Sequence, residues 1–324
     1  MGANRIASVP DPLVSVVVST CNRPARLTRL LASLRAQSLS ADAFEVVVVD
    51  DGSGPETRAA IESEASRPGV SVRTVRHETP RGPGAGRNSG WRAARAPFVA
   101  FTDDDCVAGS EWLTAALAVS AADPEAIIQG RTQPDPTELV NDGVLSRTIR
   151  VERLGPHYET CNILYPRALL ESLGGFDEQF GLSPGGEDTD LAWRAIEAGR
   201  RTAFAPEAVV FHAVQPLGVR GMLRVAARWS AVVRLFAEHP QLRVTLERGV
   251  FWNVWHYLLW RSALALLAPA WLRRLLVTKH LLELRKRARQ AGAGSWAVPF
   301  LLVYDVVECW SVARGAVRYR TLVL

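Results

Sequence analysis

The N-terminal half of the chain repeats one pattern, in which a short apolar run is followed by a segment with helical periodicity. The first three runs cover Val14–Thr20, Phe44–Val49 and Val70–Val75. Uninterrupted β-branched runs of this length are typical of strands buried on both faces of a parallel sheet. Helical spacing follows the first run, with leucines at Leu27, Leu30, Leu31 and Leu34. Consecutive strand–helix units predict an α/β fold, with a mostly parallel sheet flanked by helices.

Two of the predicted strands end in acidic residues. Asp50 and Asp51 follow the second run, and Asp103–Asp105 follow the apolar residues Val99–Phe101. Because ligands of such sheets bind beyond the carboxyl ends of the strands, we expect both groups at one edge. Three adjacent carboxylates repel one another when partly desolvated, and Mg²⁺ or Mn²⁺ would relieve that repulsion. The alternative for the triplet alone is a helix N-cap, a position that aspartate favours.

A glycine-rich segment, Arg81–Gly90, lies between these acidic groups and is predicted to turn into a helix that ends near Ala94. Glycines allow a ligand to approach the backbone, and a helix N-terminus offers free N–H groups. Arg81 and Arg87 add positive charge, so the segment suits a diphosphate. The alternative is a flexible loop, and the segment lacks the Gly-Lys-Ser or Gly-Lys-Thr ending of a P-loop.

Two later segments offer further groups to the same edge. Glu187 and Asp188 open a predicted helix that runs to Ala198, and the loop before it, at 183–186, could carry a carboxylate over a bound substrate. Helix capping is the alternative. The apolar run Ala208–His212 closes on a histidine, which in such a position is usually structural. If its strand end meets the acidic triplet, the imidazole would complete a mixed oxygen and nitrogen metal site.

The order of these segments resembles glycosyltransferase family 2, the inverting nucleotide-sugar transferases of the Rossmann-like GT-A fold. The resemblance extends from about Leu13 to Gln215. The matching segments are VSVVVSTCNR (Val14–Arg23), VVVVDDGS (Val46–Ser53), GRNSG (Gly86–Gly90), FTDDD (Phe101–Asp105), GGFDEQF (Gly174–Phe180), GEDTDLAWR (Gly186–Arg194) and VVFH (Val209–His212). Each segment is short, and their common order and spacing carry the resemblance.

The resemblance implies a metal site and a catalytic base. Asp103 and Asp105 match the outer carboxylates of the family's DxD motif, which holds a divalent cation, Mg²⁺ or Mn²⁺, with the ribose and diphosphate of the donor. His212 matches a histidine that some members use as a further metal ligand. Asp188 matches the catalytic base. Asp190 takes the place of a further carboxylate in this helix, with a short side chain.

The remaining candidates are assigned to substrate binding. Thr20 and Asp50 match residues that contact the uridine portion of the donor, which favours UDP or dTDP over GDP. Arg87 and Asn88 match positions near the diphosphate or the donor sugar. The other candidates for substrate binding are Asn22, Arg23, Asp103, Asp104, Asn162 and Glu187.

The implied reaction moves a hexosyl or deoxyhexosyl group from a nucleotide-diphosphate sugar to an acceptor hydroxyl, with inversion. The base accepts the hydroxyl proton while charge develops on the departing diphosphate. The acceptor is expected to be a glycan or a lipid-linked acceptor of a bacterial cell envelope. The alternative is a non-catalytic nucleotide-sugar or glycan-binding protein of the same fold. Against it, Asp103, Asp105, Asp188 and His212 are all present.

A nucleic acid partner is not expected, although the net charge is +5. The basic residues form no stripe and no known nucleic-acid-binding module. A pyrimidine nucleotidyltransferase is disfavoured, because the N-terminal part lacks a glycine-rich signature with a lysine. Four scattered cysteines and the absence of an apolar leader among the first twelve residues predict a reduced, cytoplasmic setting.

The segment after Gln215 differs in composition from the rest. It holds seven of the ten tryptophans, interleaved with arginines, and it contains the basic stretch Lys279–Arg289. Such amphipathic helices suit the inner face of a membrane with anionic lipids. The alternative is packing on the protein itself or in a homo-oligomer. Arg261 interrupts the most apolar window, Val250–Leu272, so a clean transmembrane span is not expected.

We therefore predict three regions in the chain. They are an N-terminal tail at 1–12, a GT-A catalytic domain at 13–215 and a helical C-terminal region at 216–324.

Overall fold

A computed structural model describes residues 11–181 and 185–324. The strands are β1 (Val14–Thr20), β2 (Phe44–Asp51), β3 (Ser71–His77), β4 (Phe98–Phe101), β5 (Cys106–Ala108), β6 (Ile127–Pro134), β7 (Ser146–Arg147), β8 (Ile163–Pro166), β9 (Thr202–His212) and β10 (Gln215–Pro216). All except β7 and β10 form one sheet, in the order β3-β2-β1-β4-β8-β6-β9-β5. β7 and β10 pair with each other.

The predicted α/β class with a mostly parallel sheet is confirmed. β1 pairs in parallel with β2 and β4, β2 pairs in parallel with β3, and β6 pairs in parallel with β9. β8 runs antiparallel between β4 and β6, and β5 runs antiparallel beside β9. The predicted burial is confirmed for β2, in which every residue is buried.

β9 is longer than the apolar run that predicted it. It begins at Thr202 rather than Ala208. The ladder with β6 skips from Ala205 to Val209, so Pro206 and Glu207 lie in an irregularity of the strand. A proline lacks the N–H that a ladder needs, and a bulge accommodates it.

Helices cover both faces of the sheet. They are α1 (Pro24–Arg35), α2 (Pro55–Ala65), α3 (Pro83–Ala93), α4 (Trp112–Ser120), α5 (Arg167–Leu173) and α6 (Glu187–Glu197). One apolar core joins alternate residues of β1 to α1, α2 and α4. A second core joins the opposite face to α3, α5 and α6. The acidic edge therefore rests on a sheet that is packed from both sides.

The glycine-rich segment is mostly helix rather than an open loop. α3 begins at Pro83, and Gly86 and Gly90 face β1. A β-carbon on either glycine would overlap the side chains of Ser19 or Val17. These glycines allow the helix to lie close against the strand, so they do not expose backbone to a ligand as the sequence suggested.

The described chain divides into two compact units. The first extends through Asp135 and includes Ile149–Ala213, and the second comprises Pro136–Thr148 and Val214–Leu324. The residues at 136–148, which lie inside the predicted catalytic domain, thus group with the C-terminal segment.

The second unit is helical. Its helices are α7 (Gly218–Ala227), α8 (Leu235–Glu238), α9 (Val254–Ala265), α10 (Ala270–Gln290) and α11 (Ala297–Arg318). Short 3₁₀ turns occur at Pro136–Asn141, Val232–Arg234 and Pro240–Thr245, and the first unit has one at Glu178–Phe180. Among the described helices, none combines the length and apolar character required to cross a bilayer.

Candidate active site

The acidic triplet occupies the turn between β4 and β5 at the carboxyl edge of the sheet. No helix starts there, because α4 begins only at Trp112. The helix-cap alternative is therefore wrong for this triplet. The strand register places Thr20 beside Asp50 and Val17 beside Phe101, which brings the ends of β1, β2 and β4 together.

Asp104, the middle residue of the triplet, is held by the chain itself. The Thr20 hydroxyl donates a hydrogen bond to Asp104 Oδ2 at 2.7 Å. Arg23 Nη1 lies 3.1 Å from Asp104 Oδ1 and 3.0 Å from Asp105 Oδ2. Burial raises the pKa of Asp104 to about 6, against the opposing effect of Arg23. Asp104 thus anchors the turn to β1 and α1.

Arg87 joins Asp103 to Glu187, which is far away in the sequence. Its Nη2 donates to Asp103 Oδ1 and its Nη1 donates to Glu187 Oε1, both at 2.9 Å. The guanidinium is buried, with 9% of the side chain exposed. Burial alone would raise the pKa of Asp103, but Arg87, with help from His212, holds it below the usual value. Arg87 therefore links the two carboxylates and favours the ionised form of Asp103.

Asp188 lies in the first turn of α6, beside this cluster. Its Oδ1 accepts the Thr189 N–H at 3.1 Å. Burial and then the neighbouring Glu187 raise the pKa of Asp188 to about 7, although Arg87 opposes the shift. A carboxylate with a pKa near neutrality can accept a proton in one step and release it afterwards.

The side chains of Asp105 and His212 lie close enough to bind one cation together. The pairing of β5 with β9 places Cys106 opposite His212. His212 Nδ1 donates to the Ala213 carbonyl at 2.9 Å, which leaves Nε2 as the ring atom that could bind a cation. That nitrogen lies 3.6 Å from Asp105 Oδ1. Two buried acceptor atoms that face each other at this distance fit a divalent cation.

The Cys106 thiol lies within the same group of potential ligands. Burial raises its pKa well above the usual value, which keeps the thiol protonated. A protonated thiol is a poor ligand for Mg²⁺ or Mn²⁺. The remaining ligands are the Asp105 carboxylate and the His212 imidazole, with Asp103 nearby in sequence. Oxygen and imidazole nitrogen ligands fit a hard or borderline cation.

The loops after β1 and β2 are tied to each other. Asn22 Oδ1 accepts the Gly54 N–H at 2.9 Å, and the Asn22 N–H donates to Ser53 Oγ at 3.0 Å. Asp50 Oδ1 accepts the Ser53 N–H at 2.9 Å, and Arg76 pairs with its other oxygen. The predicted substrate-binding residues Asn22 and Asp50 thus lie together at the edge.

Two predicted binding residues make hydrogen bonds within the fold. Asn88 Oδ1 accepts from Trp91 Nε1 and the Phe176 N–H, and Asn88 Nδ2 donates to the Phe176 carbonyl and Glu178 Oε1, all at 2.9 Å. These bonds fill the hydrogen-bonding capacity of the amide. The Asn88 amide is therefore occupied by bonds within the fold, and its contact with the donor stays a prediction.

Asn162 is buried between strands. It accepts from Trp112 Nε1 at 2.7 Å and donates to the carbonyls of Arg131 and Ala208 at 2.8 Å each. Its amide links α4, β6 and β9, and its contact with substrate stays a prediction.

Sequence reasoning missed a second polar group behind the site. Asp51 accepts the backbone N–H groups of Arg81 and Gly82 at 2.9 Å each and contacts His77 Nδ1 at 2.7 Å. His77 Nε2 contacts Ser89 Oγ at 2.8 Å. This group fixes the start of α3. The sequence had singled out Asp51 with Asp50, but not its pairing with His77.

Residues 183 and 184 of the predicted movable loop at 183–186 lie outside the described residues. Gly186, the N-cap of α6, has a left-handed backbone with φ of 105°. A β-carbon there would also overlap the Phe180 ring. A glycine is therefore required immediately before Glu187 and Asp188.

Two family models match the chain. The model described as Glycosyl transferase family group 2 matches residues 98–304, well over half of the chain, and the model described as Glycosyl transferase family 2 matches residues 15–172. The validoxylamine A glucosyltransferase of Streptomyces hygroscopicus subsp. jinggangensis is 30% identical over an alignment of 282 residues that covers 75% of this chain. The chain spans 66% of that relative's length.

Solved structures share the fold. A mannosyltransferase from Pyrobaculum calidifontis, in complex with GDP-Man and Mn²⁺, has a TM-score of 0.58 at 22% identity and covers 96% of this chain and 88% of its own. S. aureus TarS 1-349, in complex with UDP-GlcNAc, has a TM-score of 0.54 at 20% identity and covers 95% and 92%. The family models, the relative and the shared sheet show that this chain belongs to glycosyltransferase family 2 and has the GT-A fold.

Proposed function

We propose that this protein is a metal-dependent, inverting glycosyltransferase that moves a hexosyl or deoxyhexosyl group from a nucleotide-diphosphate sugar to an acceptor hydroxyl. The observation that carries the proposal is the bridge from Asp103 through Arg87 to Glu187, with Asp188 in the next position. It joins the part of the site suited to a diphosphate to a carboxylate suited to proton transfer.

Asp188 is the proposed base. Its raised pKa means that the ionised form accepts a proton readily near neutral pH. As the acceptor oxygen attacks the anomeric carbon, Asp188 takes the hydroxyl proton. A single displacement of this kind inverts the anomeric centre. Arg87 stays cationic beside the site, because Asp103, Glu187 and Asp188 together outweigh the effect of its burial.

Asp103, Asp105 and His212 are the residues that would hold Mg²⁺ or Mn²⁺. When bound, the cation supplies positive charge to the departing diphosphate. Arg23 already lies against Asp104 and Asp105, and its side chain is 46% exposed. We propose that it contributes to binding of the anionic donor from the open side.

The proposed nucleotide rests on two residues at the edge of the sheet. Asp50 and Thr20, at the ends of neighbouring strands, support UDP or dTDP. One of the solved neighbours is in complex with GDP-Man and another with UDP-GlcNAc, so both classes belong in any donor screen. We further propose that the acceptor is a glycan or a lipid-linked molecule. We also propose a cytoplasmic position on the inner face of a membrane and a homo-oligomer formed through the C-terminal helices.

Replacing His212 by alanine should weaken Mn²⁺ binding by about tenfold or more, because it removes one of the few ligands in the proposed donor set. Direct titration followed by electron paramagnetic resonance measures the free and bound cation without any need for turnover. His157→Ala is the matched control, since that side chain is exposed. Equal affinities for the two variants would exclude His212 as a ligand.

The raised pKa of Asp188 also predicts a pH effect on folding. The folded protein holds the Asp188 proton more tightly than the unfolded chain, so this contribution to stability is full at low pH and is lost as pH rises through about 7. Asp188→Asn cannot ionise. Its free energy of unfolding relative to wild type should therefore rise between about pH 4 and pH 7 and level off above. Urea unfolding at each pH measures the difference, and a constant difference would contradict the assignment.

A further inference from the structure

The second unit contains a cavity of about 310 Å³ beside α9 and α10. Its volume lies at the small end of ligand pockets, which span roughly 300–1,000 Å³. Three cationic residues line it, Arg248, Arg261 and Lys279, against one carboxylate, Glu283. The aromatic side chains of Trp255 and Tyr257 complete most of the wall. The lining therefore has an excess of positive charge next to apolar surface.

Arg261 is the most informative of these residues. Its Nε and Nη2 atoms are buried, and neither has a hydrogen-bond partner among the described residues. Unpaired donors of a buried guanidinium cost free energy. The charge is also felt nearby, since burial and then Arg261 lower the pKa of His280. Arg261 thus places a cationic side chain in the wall of the cavity, and two of its buried nitrogens have no hydrogen-bond partner among the described residues.

Arg248 and Arg261 approach the same aromatic ring. Their guanidinium carbons lie 4.3 Å and 5.7 Å from the centroid of Tyr257. The ring attracts each cation, but it does not neutralise either one. The ion pair of Arg248 with Glu247 is long, at 3.7 Å, and the Arg248 side chain is 62% exposed. Two cations on one ring, with Lys279 close by, favour an anion, and arginine forks match the oxygens of a phosphate.

The same two helices and the turn that joins them expose large apolar side chains. Those exposed by more than half are Leu264, Leu266, Leu267, Trp271, Leu275 and Leu282. Exposed apolar side chains next to a basic cavity suit a ligand with an anionic head and an apolar body.

We propose that this cavity binds the phosphate group of an anionic membrane lipid. Arg261 and Arg248 hold the phosphate oxygens, Lys279 adds charge at the opening, and the exposed leucines and tryptophan contact the acyl region. The site lies wholly in the second unit and does not depend on the donor chemistry of the first.

The test compares two charge-matched double variants of the full-length protein. Arg261→Gln with Lys279→Gln removes two cations from the cavity. Arg273→Gln with Arg274→Gln removes two exposed cations of α10 that lie outside the lining. Binding is measured by flotation on phosphatidylcholine vesicles with and without phosphatidylglycerol. Stabilisation by inorganic phosphate is measured in parallel by thermal unfolding.

We expect the cavity variant to lose about tenfold more affinity for the phosphatidylglycerol vesicles than the control variant, because it removes directed phosphate contacts as well as charge. Equal losses would show diffuse electrostatics and overturn the proposal. Stabilisation by inorganic phosphate that needs Arg261, without vesicle binding, would overturn the lipid assignment in favour of a soluble phosphate. Arg261→Lys keeps the charge, so a folded Arg261→Lys variant that binds vesicles like wild type would also contradict the role of the guanidinium fork.

Discussion

Asp188→Asn should lower the rate of sugar transfer by about 10³-fold or more while the affinity for the donor stays within a few fold, since general bases contribute roughly 10²–10⁴. Asparagine keeps the size of the side chain but cannot accept the acceptor's proton. The residue is placed for this role by the first turn of α6, and its raised pKa suits proton transfer near neutrality. Transfer is measured with saturating donor and acceptor, and donor affinity by calorimetry.

Glu197→Gln is the control for this experiment. It makes the same chemical change at the exposed end of the same helix, and it should leave transfer unaffected. Retained transfer by Asp188→Asn would refute its assignment as the base. A parallel loss of donor affinity would instead mean that Asp188 helps to form the donor site.

Arg87→Met is expected to destabilise the fold by about 3–5 kcal/mol, because it leaves buried carboxylates without their cation. Asp103 and Glu187 both lose their 2.9 Å contact, and Asp188 loses a nearby positive charge. The pKa values of Asp103 and Asp188 should rise, because Arg87 lowers both, so the loss of stability should be larger at pH 8 than at pH 5. Donor binding and transfer should fall together. Chemical unfolding at the two pH values and donor titration measure these effects.

Arg87→Lys separates charge from geometry. A lysine restores a cation but cannot donate to both carboxylates as the guanidinium fork does, so it should recover part of the stability and little of the transfer. Arg92→Gln, in the same helix with a half-exposed side chain, is the control and should change neither quantity appreciably. If Arg87→Met kept wild-type stability and transfer, the bridge between Asp103 and Glu187 would have no functional importance.

The sequence predicted the parts of the fold that depend on local pattern. The apolar runs at β1 and β2 are strands buried as expected, and the acidic residues that end β2 and follow β4 lie at one edge of the sheet. An uninterrupted run of apolar residues indicates a strand that is buried on both faces. Parallel strands place their carboxyl ends at the same edge of the sheet, so residues at those ends lie together. His212 reached the same edge because β5 runs antiparallel beside β9.

The sequence could not show the hydrogen bonds of side chains whose partners lie far away along the chain. Asn88 and Asn162 have residue types suited to substrate binding, but their amides are filled by groups such as Phe176 and Trp112. The glycines of α3 suggested a ligand loop because the close approach to β1 cannot be read from local sequence. A polar side chain can serve the fold or the ligand, and only tertiary structure shows which of its hydrogen bonds are already used.

A donor screen tests the central claim most directly. The full chain is incubated with UDP-, dTDP- and GDP-sugars, with Mg²⁺ or Mn²⁺ and with chelator, while thermal unfolding and nucleoside diphosphate release are measured. We predict that at least one donor stabilises the protein and releases its diphosphate only with the cation, and that Asp188→Asn retains the stabilisation and loses the release. Stabilisation of the wild type without release, even with added glycan or lipid-linked acceptors, would favour a binding protein, and the absence of any donor effect would contradict the account.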